Sequence, residues 1–344
     1  MAGSGTAHLR DDSLLTVRNL VVEFHLRGGR GTVQAVSNIS FDIAEGETMG
    51  LVGESGCGKS TTGKAIMQLP RPTSGSVRFG GVELTELKGK ELREHRPSMQ
   101  MIFQDPISSL NPRRTVHDIV ADPLKIWSKL SRQDRDAKVD EVLDAVGVDP
   151  KMARNRRPHE YSGGQCQRVS IARAVVTDPR LIICDEPVSA LDVSVQAQIL
   201  NLLEDMKTRY GLTMAFIAHD LAVVKNVSDR VAVMYLGKIC EIGGPDELFA
   251  HPAHPYTRAL ISSIPLPDPA ASLDHEHRLH GDLPSPLSPP SGCRFRTRCP
   301  IAQELCAHTE PQVREVAEGH YVACHFPLEQ PVTISGSSPA ASLP

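Results

Sequence analysis

Short apolar runs of strand length recur along this chain and alternate with longer segments of helical character. Two β-rich runs, 14–24 and 33–43, are separated by a glycine-containing stretch that suits a turn or loop. Two shorter runs, 76–79 and 100–103, are further strand candidates, and the second stops before Pro106 because proline cannot pair inside a sheet. A small layer of strands is therefore predicted near the N-terminus.

The later strand candidates have a different pattern, because they are apolar at nearly every position. The runs 181–185, 213–218 and 230–236 show little alternation, which is typical of strands buried on both faces. Helical segments lie between such runs, and an apolar stripe spaced by three and four residues predicts helix within 115–148. Strands that alternate with helices indicate an α/β fold with a mostly parallel sheet and a helical insertion.

Changes in composition divide the chain into four parts. The polar stretch 1–13 is predicted to be a flexible leader, and 14–250 to be the α/β core, with the helical subdomain at about 105–179. Beyond the core the composition turns to proline, histidine and serine, and 251–330 is predicted to be a small extension with four cysteines. The last residues, 331–344, are predicted to be disordered.

Composition limits the classes of function. The chain has 344 residues, 40% of them hydrophobic, which is enough for one large domain or two modest ones. Its 37 basic and 41 acidic residues give a net charge of −4, unlike the broad positive surface of a nucleic-acid binder, so no nucleic-acid partner is expected. There is no signal-peptide pattern and no apolar run of the roughly 18 to 20 residues that cross a bilayer. We expect a cytosolic chain, or one held at a membrane by a partner.

The stretch 53–61, GESGCGKST, has the clearest chemistry. It fits G-x-x-x-x-G-K-[ST], follows an apolar run and precedes a helix-type segment, which is the context of a phosphate-binding loop. The glycines let backbone N–H groups converge on anionic oxygens, the lysine adds positive charge, and the serine is predicted to ligate Mg²⁺. The residues expected to bind nucleotide here are Gly53, Ser55, Gly56, Cys57, Gly58, Lys59, Ser60 and Thr61.

Two further motifs belong to the same chemistry. Asp185 and Glu186 end a buried strand as adjacent carboxylates; Asp185 is predicted to hold Mg²⁺, and Glu186 to orient the water that attacks the γ-phosphate. The segment 161–165, YSGGQ, here called the signature segment, precedes a helical run. Its serine and glycine amides would lie at a helix N-terminus, which predicts a second anion site. A single chain would then contain two phosphate-binding sites, one at the phosphate loop and one at the signature segment.

These motifs, in this order, resemble the ATP-binding cassette (ABC) proteins over most of the α/β core. The resemblance implies a P-loop NTPase fold of the ABC ATPase type with an antiparallel β layer. It also implies a dimer in which each ATP lies between the phosphate loop of one subunit and the signature segment of the other. Gln104 would sense the γ-phosphate and Mg²⁺, the loop 189–192 would cross the interface, and His219 would contact the γ-phosphate. The expected catalytic residues are thus Gln104, Glu186 and His219, and the further residues placed on ATP are Ser162, Gly163, Gly164, Gln165 and Asp192.

Two positions depart from the family pattern. Tyr161 replaces the commonest leucine of the signature segment, an apolar exchange that leaves the backbone contacts in place. The aromatic residue that stacks on adenine aligns with Arg30, and Phe24 is the nearest aromatic residue upstream. Because arginine can also stack on a base, the adenine contact stays open.

The segment 254–260, HPYTRAL, and the cysteine-bearing region after it resemble the C-terminal extension of ATPase subunits of bacterial dipeptide and oligopeptide importers. That resemblance implies a peripheral motor at the cytoplasmic face of the inner membrane. Its partners would be two membrane permease subunits, a second ATPase subunit that is often a different chain, and an extracytoplasmic peptide-binding protein. A homodimer is the alternative pairing. The rival functions are an importer for nickel or another small solute and, more distantly, a soluble ABC protein without a transport role.

Four of the eight cysteines, Cys293, Cys299, Cys306 and Cys324, follow the spacing C-x5-C-x6-C-x17-C. Disulfides are disfavoured in the cytosol, and the segment is too short and proline-rich to bury much core, so a metal is expected to stabilise it. Structural zinc sites usually contain closely spaced cysteine pairs, which this spacing lacks. The resemblance to the importer extension favours a [4Fe-4S] cluster, with Zn²⁺ and reduced thiols as the alternatives.

Overall fold

Two β-sheets form the framework of this computed structural model, which describes residues 6–26, 28, 31–264 and 281–328. The strands are β1 Leu15–His25, β2 Thr32–Ile43, β3 Thr48–Val52, β4 Ser74–Phe79, β5 Val82–Glu83, β6 Met99–Ile102, β7 Leu181–Asp185, β8 Thr213–Ala218, β9 Arg230–Tyr235, β10 Lys238–Gly243, β11 Arg314–Ala317 and β12 His320–Val322. The helices are α1 Lys59–Ile66, α2 Gly89–His95, α3 Pro106–Ser109, α4 Val116–Trp127, α5 Arg132–Ala145, α6 Pro150–Ala153, α7 Gly163–Val175, α8 Val193–Tyr210, α9 Leu221–Val227, α10 Pro245–Ala250, α11 Pro255–Ser262 and α12 Glu304–His308.

The larger sheet is mostly parallel. Its strand order is β11-β12-β10-β9-β3-β8-β7-β6, and the five strands from β9 to β6 in that order run parallel to one another. Every residue of β7 and of β8 is buried, as expected for strands covered on both faces. The predicted α/β class with a mostly parallel sheet is confirmed.

The smaller sheet is antiparallel, with the strand order β2-β1-β4-β5. It packs on one face of the larger sheet, where Leu15, Val36 and Phe41 share a buried cluster with Ile183 and Ile217. Alternating apolar residues along β1 and β2 provide this contact, since side chains alternate between the two faces of a strand. The phosphate loop therefore begins between two sheets.

The helical insertion lies between β6 and β7. The helical stretch predicted over 115–148 consists of two helices, α4 and α5, because Ser131 caps the second by accepting a hydrogen bond from the Asp134 N–H. The residues of its apolar stripe are fully buried: Val139, Val142, Leu143 and Val146. Within the described ranges no helix is both long and apolar enough to cross a membrane.

Part of the segment predicted to be a flexible leader is instead packed against the smaller sheet. His8 is buried, and its ring lies 2.8 Å from the Ser40 carbonyl oxygen. Arg10 and Ser13 both hydrogen-bond the buried carboxylate of Asp42. This carboxylate needs donors because burying an unpaired charge is costly, and the leader supplies two of them. Residues 1–5 lie outside the described part of the chain.

The C-terminal extension joins the larger sheet instead of folding beside it. Strand β12 pairs antiparallel with β10, and the buried carboxylate of Glu241 on β10 accepts hydrogen bonds from the Ala253 and His254 N–H groups at 2.6 and 3.0 Å. The ring of His320 lies 2.7 Å from the same carboxylate. The expectation that the cysteine-bearing segment buries little core is wrong, because its Phe295 belongs to the main apolar core, as does Tyr256 earlier in the extension. Residues 265–280 and the tail 331–344 lie outside the described residues.

Glu241→Ala is expected to lower the free energy of unfolding by about 3 kcal/mol, because two buried N–H groups and His320 lose their acceptor. Urea denaturation measures this loss, and limited proteolysis should release the extension sooner. Glu45→Ala is the control: Glu45 pairs with Arg180 at the surface, so its removal should cost less than about 1 kcal/mol. Equal urea midpoints for the two variants would contradict the role assigned to Glu241.

Candidate nucleotide site

The phosphate loop connects the end of β3 at Val52 to the start of α1 at Lys59. Two of its glycines touch backbone from neighbouring strands. A Cβ at Gly53 would lie 2.0 Å from the Met234 carbonyl oxygen, and one at Gly58 would lie 2.2 Å from the Ala35 carbonyl oxygen. Both glycines also have positive φ, 155° and 107°, which other residues rarely adopt. Any side chain at either position would push the loop out of place.

Lys59 lies over this loop. Its ammonium group is buried and donates hydrogen bonds to the Gly53 and Glu54 carbonyl oxygens at 2.7 and 3.0 Å. Thr62, one turn into α1, donates to the Gly58 carbonyl oxygen at 3.0 Å. The charge of Lys59 and the N-terminus of α1 therefore face the same concave loop, an arrangement that binds phosphate groups.

The structure brings together the two protein groups that the sequence predicts for Mg²⁺. Ser60 donates a hydrogen bond to the Asp185 carboxylate at 2.6 Å, although 125 residues separate them in the sequence. Burial raises the pKa of the Asp185 carboxyl group, and the Ser60 hydrogen bond and nearby Lys64 act in the opposite direction. A hydroxyl and a carboxylate next to a phosphate loop are oxygen ligands of the kind that Mg²⁺ takes.

The three residues expected to be catalytic also meet. Gln104 donates a hydrogen bond to a Glu186 carboxylate oxygen at 3.0 Å, and a ring nitrogen of His219 lies 3.3 Å from the same oxygen. These residues follow the carboxyl ends of three neighbouring strands, β6, β7 and β8. Glu186 has φ +48°, and its N–H donates to the Ile217 carbonyl oxygen, so the turn after β7 aims the carboxylate at this group.

An open cavity of about 900 Å³ extends from this cluster along the phosphate loop. Gln104, Glu186 and His219 line one end of it, and Phe24 lines the wall on the side of the smaller sheet, with a side chain that is 40% exposed. Arg30, the alternative for stacking on adenine, lies outside the described residues. Pro286 of the extension also lines the cavity, and it accepts a hydrogen bond from the Gln34 N–H at 3.0 Å. Sequence reasoning missed this residue, because nothing in its local pattern indicates a ligand contact.

The signature segment forms a separate helix N-terminus. Ser162 caps α7 by accepting a hydrogen bond from the Gln165 N–H, and the Gln165 side chain accepts one from the Ser162 N–H. A Cβ at Gly164 would lie 2.6 Å from the Val195 side chain, so α7 and α8 pack closely there. Asp192 is the N-cap residue of α8 and follows the cavity-lining Ser189 and Ala190. Among the described residues that line the cavity, none comes from the signature segment.

The four cysteines of the extension, with the chain between them, form what we call the cysteine module, 293–324. Burial raises the pKa of the Cys299 thiol to about 11 and that of the Cys324 thiol to about 12, and in both cases the neighbouring module cysteines add to the shift. The Cys293 N–H donates to the Cys306 carbonyl oxygen at 2.8 Å. This hydrogen bond joins two segments of the module, and no three His, Cys, Asp or Glu side chains in the described part of the chain are placed to hold a metal ion.

Comparison with known proteins gives two family matches. The ABC transporter family matches residues 36–189, and the C-terminal region of oligopeptide/dipeptide transporters matches 240–306. The oligopeptide transport ATP-binding protein OppF of Salmonella typhimurium is 52% identical over 320 residues, which cover 90% of this chain and 95% of that protein. The chain belongs to the ABC transporter ATP-binding family. Accordingly it is an ATPase, for which ATP and Mg²⁺ are the expected ligands.

Further relatives agree with this assignment. The oligopeptide transport ATP-binding protein AppF of Bacillus subtilis is 48% identical to the cassette over 322 residues, covering 92% of this chain and 98% of AppF. The dimeric structure of a post-hydrolysis state of the ATP-binding cassette MJ0796, bound to ADP and Pi, superposes with a TM-score of 0.61 at 29% identity. It covers 67% of this chain and 98% of that one. The expected ABC ATPase fold is confirmed.

Gly58→Ala is expected to destabilise the nucleotide-free cassette more than Gly56→Ala does. Both glycines have positive φ, but a Cβ at Gly58 meets the Ala35 carbonyl oxygen, while nothing lies within 4 Å of one at Gly56. We expect a loss of about 1 to 2 kcal/mol for Gly56→Ala from its backbone conformation alone, and about 3 kcal/mol or more for Gly58→Ala. Thermal unfolding without nucleotide measures both, and equal losses would contradict the close packing.

Proposed function

We propose that this cassette is the ATP-hydrolysing motor subunit of an importer for di- and oligopeptides. The observation that supports it most is the 52% identity to an oligopeptide transport ATP-binding protein across both the cassette and the extension. The match over the extension also supports this function, because the matching family is the C-terminal region of oligopeptide/dipeptide transporters. The cargo would be selected by other subunits, because the described cavity is the nucleotide site.

In the proposed mechanism the phosphate loop and Lys59 bind the triphosphate. Ser60 and Asp185 would hold Mg²⁺, which when bound neutralises charge on the phosphate oxygens. Glu186 would accept a hydrogen bond from the attacking water and favour its deprotonation, while Gln104 and His219, both near the Glu186 carboxylate, would orient the γ-phosphate and the water. Gln104 and His219 lie 3.0 and 3.3 Å from a Glu186 carboxylate oxygen, and these two contacts would fix the direction of the proposed base.

A second cassette would complete each ATP site. The signature segment lies at the N-terminus of α7 and contributes no lining residue to the described cavity of its own chain. Ser162, Gly163 and Gly164 would therefore contact ATP on a partner's phosphate loop, with Gln165 supporting the cap and Asp192 near the interface. The partner would be a related ATPase subunit, with a homodimer as the alternative.

The remaining partners would be two membrane permease subunits and an extracytoplasmic peptide-binding protein. None of the described helices can span a membrane, so peripheral association through the permeases is the proposed arrangement. The cytoplasmic face of the inner membrane is the proposed location, because that is where a peptide importer of this type would meet ATP.

The cysteine module would hold a [4Fe-4S] cluster with a structural role. The family match to the C-terminal region of oligopeptide/dipeptide transporters supports this proposal. The cysteine spacing lacks the close pairs that structural zinc sites usually contain, which favours the cluster over the alternatives, Zn²⁺ and reduced thiols. Among the described residues, no three His, Cys, Asp or Glu side chains are placed to hold a metal ion, so the metal content must be measured directly.

Glu186→Gln is expected to retain MgATP binding and to lower the rate of ATP hydrolysis about 100-fold or more in the assembled transporter, because an amide cannot act as a base. Uptake of labelled peptides should fall with it. Glu204→Gln, on the exposed face of α8, is the matched control and should leave both rates unchanged. Near-normal hydrolysis by Glu186→Gln would contradict its role, and uptake of nickel without uptake of peptides would overturn the proposed cargo.

Anaerobically purified protein is expected to contain about four iron and four sulfide per chain. Cys299→Ser should lose both, while Cys166→Ser, a buried cysteine of α7 outside the module, should retain them. Stoichiometric zinc without sulfide would contradict the cluster. A metal-free chain with an intact extension would contradict both metals.

A further inference from the structure

Two residues of the C-terminal extension form hydrogen bonds with one residue of the phosphate loop, Glu54. Arg298, in the cysteine module, donates to both carboxylate oxygens of Glu54, at 2.6 and 3.1 Å. Its side chain is only 6% exposed. Glu54 is the second residue of the phosphate loop and lies 244 positions away in the sequence. A bidentate ion pair of this kind fixes the relative orientation of the two side chains as well as the distance between them.

The second contact is on the backbone of the same residue. The Glu54 N–H donates a hydrogen bond to the Tyr256 hydroxyl oxygen at 2.8 Å. Tyr256 is fully buried on α11, and its ring packs against the rings of Tyr235 and Phe295 at centroid distances of 4.7 and 5.4 Å. The hydroxyl therefore sits on a rigid aromatic group, and Glu54 is held by both its side chain and its backbone.

A second arginine of the module, Arg294, contacts a turn that is hydrogen-bonded to the phosphate loop. It donates to the Leu236 carbonyl oxygen and to the Ser37 hydroxyl, the latter at 2.9 Å. The residue after Leu236, Gly237, donates its N–H to the Cys57 carbonyl oxygen of the phosphate loop at 2.7 Å. The extension thus contacts the phosphate loop directly at Glu54. It also contacts the loop indirectly at Cys57, through the turn that contains Leu236 and Gly237.

Charge makes the Glu54 contact more than a structural support. A carboxylate next to a loop that binds a triphosphate repels the ligand, and this repulsion is strong where water is partly excluded. Arg298 neutralises that carboxylate, and the pair draws the Glu54 side chain toward the extension. Loss of Arg298 would leave an unneutralised negative charge on the loop that binds the phosphates and would free the loop to change shape.

We propose that Arg298 and Tyr256 of the extension set the affinity of this cassette for ATP, Arg298 by neutralising the Glu54 carboxylate and Tyr256 by positioning the Glu54 backbone, and that the cysteine module acts through Arg298. The inference rests on the ATP site of the proposed function and is independent of the cargo. Arg294 directly follows Cys293, and Arg298 directly precedes Cys299. Whatever holds these two cysteines in place therefore also holds both guanidinium groups against the loop and its neighbours.

Titration of the full-length chain with MgATP tests the first step. Arg298→Ala is expected to weaken MgATP binding about tenfold, because it leaves a partly buried carboxylate without its arginine in the loop that binds the ligand. The double variant Arg298→Ala with Glu54→Gln should recover to within about threefold of the unmodified chain, since the repelling charge is then gone. Arg314→Ala, an exposed arginine on β11 of the same extension, is the matched control and should bind normally.

A purely structural role predicts a different result. In that case the double variant would bind no better than Arg298→Ala, and either this result or normal binding by Arg298→Ala would overturn the inference. Thermal unfolding of each variant separates a misfolded chain from a folded one with a weaker site. Failure of the unmodified chain to bind MgATP would instead contradict the proposed function, so the two failures are distinguishable.

Cys299→Ser tests the link to the cysteine module. It should weaken MgATP binding in the unmodified background and have little further effect when Arg298 is already alanine, because both changes act through the same contact. Tyr256→Phe gives an independent measurement, since it keeps the aromatic packing and removes only the hydroxyl that accepts from the Glu54 N–H. Additive effects of Cys299→Ser and Arg298→Ala would show that the module does not act through Arg298.

Discussion

Close backbone packing around the phosphate loop is the constraint on which the rest of this structure depends. Gly58 lies against the Ala35 carbonyl oxygen of the smaller sheet, and Gly53 lies against the Met234 carbonyl oxygen of the larger one. The loop can take its shape only when both sheets are docked. Arg230 at the start of β9 contributes to that docking, because it donates to the carbonyl and the carboxylate oxygens of Asp42 on β2. Burial of this ion pair and of the apolar residues between the sheets thus fixes the geometry of the anion site.

The chemistry of the site follows from parallel pairing. The strands β6, β7 and β8 are neighbours and point the same way, so the residues after their carboxyl ends, Gln104, Glu186 and His219, come together at one edge of the sheet. The sequence could predict these positions because each one follows an apolar run that must be a buried strand. It could not predict the strand order or the left-handed backbone of Glu186, since these depend on contacts between distant segments.

Contacts between residues that are far apart in the sequence were the hardest part of the structure to predict. Local periodicity predicted strands and helices well, since amphipathic and continuous apolar patterns reflect burial directly. It contained no sign that His8 and Arg10 pack on the smaller sheet, or that β12 pairs with β10. Polar, proline-rich segments suggested flexibility and a dependence on metal, whereas Tyr256 and Phe295 of the extension are buried in the main apolar core.

The extension should accordingly be regarded as part of the ATP site. Arg298 directly precedes Cys299 and forms an ion pair with Glu54 of the phosphate loop, so the order of the module and the shape of the loop are expected to depend on each other. Linkage between two sites is reciprocal: if an ordered module strengthens ATP binding, then bound ATP must stabilise the module by the same free energy. A motor that alternates between nucleotide-bound and nucleotide-free states would therefore stabilise its cysteine module when ATP binds and lose that stabilisation when the nucleotide leaves. This coupling needs no movement of the sheets, because the Arg298 and Glu54 side chains already connect the two sites through a single ion pair.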